Sequence, residues 1–110
     1  MKNLDEFQIE LDGNLKDAME AITANMRGMV FVTKNKKVVG LLSDGDIRRA
    51  LLKGVTTLAP VSSIMNQEFV FTSKKDRKAI KKIMDEKKIY SLPVLDQKKH
   101  LVDLVFIDEL

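Results

Sequence analysis

The feature that most constrains how this chain can fold is an order of sequence patterns that occurs twice. "LKDAMEAI" is followed by "GMVFVTKNKKVVGLLSDGDI", and "DRKAIKKI" is followed by "SLPVLDQKKHLVDLVFIDEL". Self-similarity of this kind marks a supersecondary unit whose apolar face needs a neighbour. Aligned on their alanines, Ala18 and Ala79 stand 61 positions apart, whereas Asp46 and Glu109 stand 63 apart. A short insertion therefore separates the copies, expected between helix and hairpin. Repeat one is assigned to 1–57 and repeat two to 58–110.

Within each copy the apolar period switches as a mixed unit requires. Leu15, Ala18, Met19 and Ile22 keep helical spacing, after which Met29 to Val32 and Val38 to Leu42 form two short apolar runs about the polar turn "TKNKK". That pattern predicts a β-hairpin. Helical spacing resumes from Asp46 to Lys53 through Ile47, Ala50 and Leu51, and Gly54 supplies a stop. The second copy predicts a helix over Asp76 to Lys87 and strands over Leu92 to Leu95 and Leu101 to Phe106, with no closing helix before Leu110. Between the copies, "VTTLAPVSSIMNQEF" carries Pro60 and a Ser-rich turn. The expected fold class is α/β (α+β): two small β-sheets packed together, flanked by helices and related by a pseudo-twofold axis. A natural end at Leu110 would leave the second half thinly covered, so the chain is expected to be a fragment.

Composition narrows the functions available. With 110 residues, 45% hydrophobic and 32% charged, the chain has the balance of a globular protein rather than a disordered one. The absence of cysteine excludes disulfides, thiolate nucleophiles and cysteine metal sites and fits a reducing cytoplasm, while a single histidine, His100, is too few for a histidine metal cluster. The start "MKNLDEFQIELDG" lacks the apolar run of a signal peptide, and no apolar stretch approaches the roughly 20 residues of a membrane span. A net charge of +3 and the cluster "KKDRKAIKK" invite a nucleic-acid reading. Against it, Ala79, Ile80, Ile83 and Met84 make an apolar stripe, so the lysines read as the solvated face of an amphipathic helix. The six methionines read as core filling.

"GLLSDGDIRRALLKG" poses the functional question. Ser43 and Asp46 stand at the spacing of a capping box, in which a hydroxyl and a carboxylate three residues on satisfy free N–H groups at a helix start. The same groups suit a ligand: a helix N-terminus attracts phosphate, and a carboxylate can accept both hydroxyls of a ribose. In tandem with the hairpins, "VVGLLSDGDIRRALLKG", "PVSSIM" and "KKIYSLPVLD" resemble the cystathionine-beta-synthase (CBS) domain pair, over essentially the whole chain. "SDGDIRRALLKG" followed by "SIMN" looks like the pair that precedes bacterial sugar-phosphate nucleotidyltransferase domains, and the ending "LVFIDEL" looks closer to that group than to the similar pair of sugar-phosphate isomerases.

The resemblance implies a regulatory module that binds an adenine nucleotide (AMP, ADP or ATP) in clefts between the repeats and needs no cofactor for chemistry. Ser43 and Asp46 would contact the ligand, opposite Thr72, Ile89, Tyr90 and Ser91 of the other repeat. Arg27, Arg48 and Arg49 are the cations nearest phosphate, with Arg27 and Arg48 taken as the contacts and solvation as the rival reading for a helical arginine such as Arg48. Tyr90 is equally readable as a packed ring with a wet hydroxyl. In the second copy Phe106 replaces the hydroxyl, Glu109 the aspartate and Asp103 the glycine, which makes that site degenerate. No catalytic set is evident: "DGD" lacks the further oxygen ligands of a calcium loop, and His100 lies in a turn. Catalysis is therefore assigned to a C-terminal domain of a parent nucleotidyltransferase, with a homodimer as the expected assembly and neither a membrane nor nucleic acid as partner. The alternatives are the CBS pair of a sugar-phosphate isomerase, a ligand-free dimerisation module and a nucleic-acid module.

Overall fold

The computed structural model describes residues 2–110. They divide into two compact units, the first running to Phe69 and the second from Val70 to Leu110. The division at 57 and 58 in the sequence concerns repetition along the chain and stays a proposal; residues 58–69 pack within the first unit.

In the first unit, strand β1 (Gln8–Glu10), helix α1 (Leu15–Asn25), strands β2 (Met29–Lys34) and β3 (Lys37–Ser43) and helix α2 (Asp44–Leu52) follow in order. β1 lies parallel to β2, and β2 is antiparallel to β3. α1 starts because Asn14 caps it: the Asp17 N–H donates to Asn14 Oδ1 at 3.0 Å, and the Asn14 N–H donates back to Asp17 Oδ2 at 2.9 Å. Leu15, Ala18 and Ile22 of α1 pack on Val30, Val32, Leu42, Ile47 and Val61, which are all buried.

The link after α2 belongs to this unit by its backbone bonds. Leu15 and Lys16 N–H groups donate to the Ala59 and Thr57 carbonyls, both at 2.9 Å, and Val61 N–H donates to Gly13 O at 3.1 Å. Further on, Asn66 and Leu41 exchange both N–H···O bonds, at 2.8 and 2.9 Å, so residues 61–66 form a strap along the outer edge of β3. Gly40 makes room for that strap. A Cβ built on it would stand 2.7 Å from Met65 Cγ and 3.0 Å from Met65 Cβ.

The second unit holds helix α3 (Arg77–Lys87) and the antiparallel strands β4 (Ser91–Leu95) and β5 (Leu101–Phe106). Ile80 and Met84 of α3 pack on Leu92 and Val94, again all buried. Thr72 makes a parallel bridge to Val94, as Ile9 of β1 does to Val32. After β5 the backbone makes one short 3-10 turn, Ile107–Glu109.

The repeat is thus real in detail, with one correction to its register. Helix caps Asn14 and Asp76, left-handed helix ends Met26 and Lys88, and buried pairs Ala18/Ile80 and Ile22/Met84 all correspond at an offset of 62, not 61. Ala18 therefore matches buried Ile80 rather than half-buried Ala79. The offset becomes 63 inside the hairpin, not before it. β2 and β3 join through two residues, Asn35 and Lys36, both at positive φ, whereas Asp96 and His100 enclose three, ending in Lys99 at φ 67°. Those are the two common short hairpin loops, one residue apart in length. Both hairpins also carry a bulge at the same place, leaving Val39 and Val102 unpaired by register.

The methionine reading holds in part. Met29 and Met84 are buried, but Met26 is 86% exposed at the end of α1, and Met1 lies outside the described residues.

Candidate functional site

β3 delivers its last residue, Ser43, to the start of α2, and the Asp44 N–H donates to Gly28 O at 2.9 Å to fix that corner. Gly28 sits at φ +74°, and a Cβ there would stand 3.3 Å from Asp44 Oδ2, so both conformation and space select glycine. The capping box expected from the sequence is formed. The Asp46 N–H donates to Ser43 Oγ at 3.2 Å, while the Ser43 N–H and hydroxyl donate to Asp46 Oδ2 at 3.0 and 2.9 Å.

Sequence reasoning did not single out the other oxygen's partner. Arg49 Nη2 donates to Asp46 Oδ1 at 2.7 Å, with the Asp46 side chain 27% exposed and that of Arg49 65% exposed. The signal was present as an arginine three residues after the aspartate, but the sequence reading favours Arg48 as the phosphate contact, whereas the arginine that turns back onto Asp46 is Arg49. Arg48 is exposed on α2, and Arg27 is exposed just after α1, its N–H donating to Asn25 Oδ1 at 2.8 Å. Ser43, Asp46 and Arg49 are thus brought together by direct contacts at one helix start.

Of the residues expected from the second copy, Thr72 is buried, its Oγ1 accepting from the Lys74 N–H at 3.1 Å. Ile89, Tyr90 and Ser91 follow α3 and enter β4, with Tyr90 80% exposed. The Tyr90 carbonyl accepts from the Ile107 N–H at 2.8 Å, the counterpart of the Gly28–Asp44 bond. At the end of β5, the Phe106 N–H donates to Glu109 Oε1 at 2.8 Å, as Ser43 does to Asp46. What differs is the side chain. Phe106 is buried and offers no hydroxyl, and Arg77 Nη2 donates to the Glu109 carbonyl at 2.6 Å. Asp103, in the place of Gly40, turns its carboxylate onto the Leu104 N–H at 2.8 Å.

Among the described residues no group of three or more His, Asp or Glu side chains is placed to hold a metal ion. No helix among them is long and apolar enough to cross a membrane. His100 Nδ1 lies 3.9 Å from Asp96 Oδ2 in the β4–β5 turn, and the His100 N–H, donating to Asp96, holds that carboxyl below its ordinary range. Lys78, Lys81 and Lys82 are exposed and Lys81 pairs with Asp85 at 3.2 Å, consistent with a solvated face of α3, while Lys74 and Lys75 are exposed ahead of the Asp76 cap and off the helix.

Residues 5–53 match the CBS domain family. The whole chain superposes on a CBS domain protein from Pyrobaculum aerophilum complexed with AMP, with a TM-score of 0.80 at 17% identity, covering 100% of this chain and 90% of that one. The chain has the fold of a CBS domain pair.

Among curated proteins, a probable arabinose 5-phosphate isomerase of Haemophilus influenzae is 33% identical over 95 residues, 84% of this chain and 28% of its own length. An arabinose 5-phosphate isomerase of Salmonella typhi is 30% identical over 105 residues, 93% of this chain and 32% of its own. The chain therefore spans about three-tenths of the length of these relatives. They favour the resemblance to the sugar-phosphate isomerase pair over that to the nucleotidyltransferase pair. A segment like "DGDIRR" is also a feature of the isomerase pair, and the short ending "LVFIDEL" was too little sequence to separate the two groups.

Proposed function

We propose that this chain is a regulatory module that senses an adenine nucleotide, and that the first unit holds the principal ligand through Ser43 and Asp46. The observation that carries the reading is the convergence, at one helix start, of a hydroxyl, a half-buried carboxylate and an arginine. These are the three chemistries that a ribose phosphate needs. The likeness to an AMP-bound CBS protein supports adenine as the base. Thr72, Ile89, Tyr90 and Ser91 remain proposed contacts, as do Arg27 and Arg48 for phosphate. The Phe106/Glu109 counterpart is proposed to bind weakly or not at all.

The parent protein is proposed to be a sugar-phosphate isomerase rather than a nucleotidyltransferase, on the strength of the curated relatives. A ligand can bias such an enzyme only by its different affinity for two arrangements of the protein. A homodimer and a cytoplasmic location complete the reading.

Thermal unfolding in the presence of AMP, ADP, ATP or GMP tests it. A ligand at 100 times its Kd stabilises the state it binds by about 2.7 kcal/mol, which for a chain of this size raises Tm by roughly ten degrees or more. Adenine nucleotides should raise Tm and GMP should not. No shift with any of the four at millimolar concentration would remove the ligand reading and leave a capped helix in a dimerisation module.

A further inference from the structure

We propose that Arg49 is a specificity-determining latch that couples recognition of the ribose to recognition of the 5′-phosphate, so that the first unit distinguishes phosphorylated adenosine from adenosine itself. This rests on the ligand reading above, and its own footing is the bonding capacity of one carboxylate. Asp46 Oδ2 accepts from the Ser43 N–H and hydroxyl at 3.0 and 2.9 Å, and Oδ1 accepts from Arg49 Nη2 at 2.7 Å. A carboxylate offers about four lone-pair directions, so about one is left, and a ribose diol asks for two. One present partner must leave.

Exposure decides which. The Ser43 bonds are part-buried and close the helix start, whereas Arg49 is 65% exposed in an i,i+3 pair of the kind that contributes little to stability. Arg49 is the partner displaced. Its guanidinium lies over Gly45, where a Cβ would stand 3.2 Å from Nη1 and 3.6 Å from Nη2. The released cation then stays close to the first turn of α2, at the positive end of the helix dipole. A phosphate there gains a forked charge-assisted contact, because the diol has freed its donor. Adenosine frees the same arginine and offers it only water.

Calorimetric titration of AMP, and of adenosine by competition against AMP, tests the latch in the unmodified chain and in Arg49→Gln. In Arg49→Gln, AMP should bind about tenfold more weakly or worse, the loss of a charge-assisted contact. Adenosine should bind as well as before or slightly better, so the ratio of the two affinities collapses. Lys53→Gln, which removes the same charge at the far end of α2, should leave both affinities unchanged. Equal weakening of both ligands, no weakening of either, or an equal effect from Lys53→Gln would overturn the latch while the ligand reading stands. An unmodified chain that binds neither ligand overturns both.

Discussion

Replacing Gly40 by alanine should damage the first unit through the strap rather than through the strand. The added methyl would meet Met65 Cγ at 2.7 Å and Met65 Cβ at 3.0 Å, both inside van der Waals contact. Rotating the end of the methionine relieves the first clash but not the second, because Cβ moves only with its backbone. That backbone is held by the two Leu41–Asn66 bonds at 2.8 and 2.9 Å and by Val61, which is fully buried. Overpacking of this kind costs about 1 to 3 kcal/mol, and partial loss of the strap bonds puts the expected value in the upper half of that range. Urea unfolding followed by circular dichroism gives the number. In the double variant Gly40→Ala/Met65→Gly, which removes Cβ as well as Cγ at position 65, the methyl has room, so the two losses should fall short of additive by about 1 kcal/mol or more. A Gly40→Ala variant within 0.5 kcal/mol of the unmodified chain, or strictly additive losses in the double variant, would refute the close-approach argument.

Ser43→Ala removes the side-chain cap of α2 and should lower stability by about 1 kcal/mol, read as a fall in Tm of several degrees without ligand. Phe106→Ser, the change that would restore a hydroxyl in the second unit, empties a buried aromatic position; it should cost about 3 kcal/mol or more in urea unfolding. Asp96 is held below its ordinary range first by the His100 N–H, so the unfolded chain takes up its proton before the folded one. Its contribution is therefore complete above the ordinary carboxylate range and is lost as pH falls through the folded value. Asp96→Asn should flatten the acid limb of a Tm–pH profile, and an unchanged limb would count against that role.

Both hairpins, all three helices and the capping box were legible in the sequence, because each is written in spacings of two to four residues. What was missed is held by backbone bonds between distant segments. β1 is only "QIE", too short to show a period, and it exists because β2 offers it an edge. The strap at Asn66 and the bridge at Thr72 are likewise main-chain contacts, to which side-chain pattern is nearly blind. The register of the repeat failed for a related reason: an Ala-to-Ala match outweighed the buried stripe, and the real insertion sits in a polar turn that carries no apolar signal. At the candidate site, the Ser43–Asp46 capping box could be named from spacing, while the ligand role given to the pair came from the family resemblance. The choice of Arg49 over Arg48 depended on a rotamer crossing Gly45.

The central claim is that one of two similar folded repeats keeps an adenine-nucleotide site at Ser43 and Asp46. Titration calorimetry of AMP into the unmodified chain and into Asp46→Ala, both well below their Tm, tests it most directly. The account predicts one tight ligand per chain, weakened by about 1.5 to 3 kcal/mol in the variant, or roughly tenfold to over a hundredfold in Kd. Two equal sites per chain, or an Asp46→Ala variant that binds AMP as tightly as the unmodified protein, would contradict it.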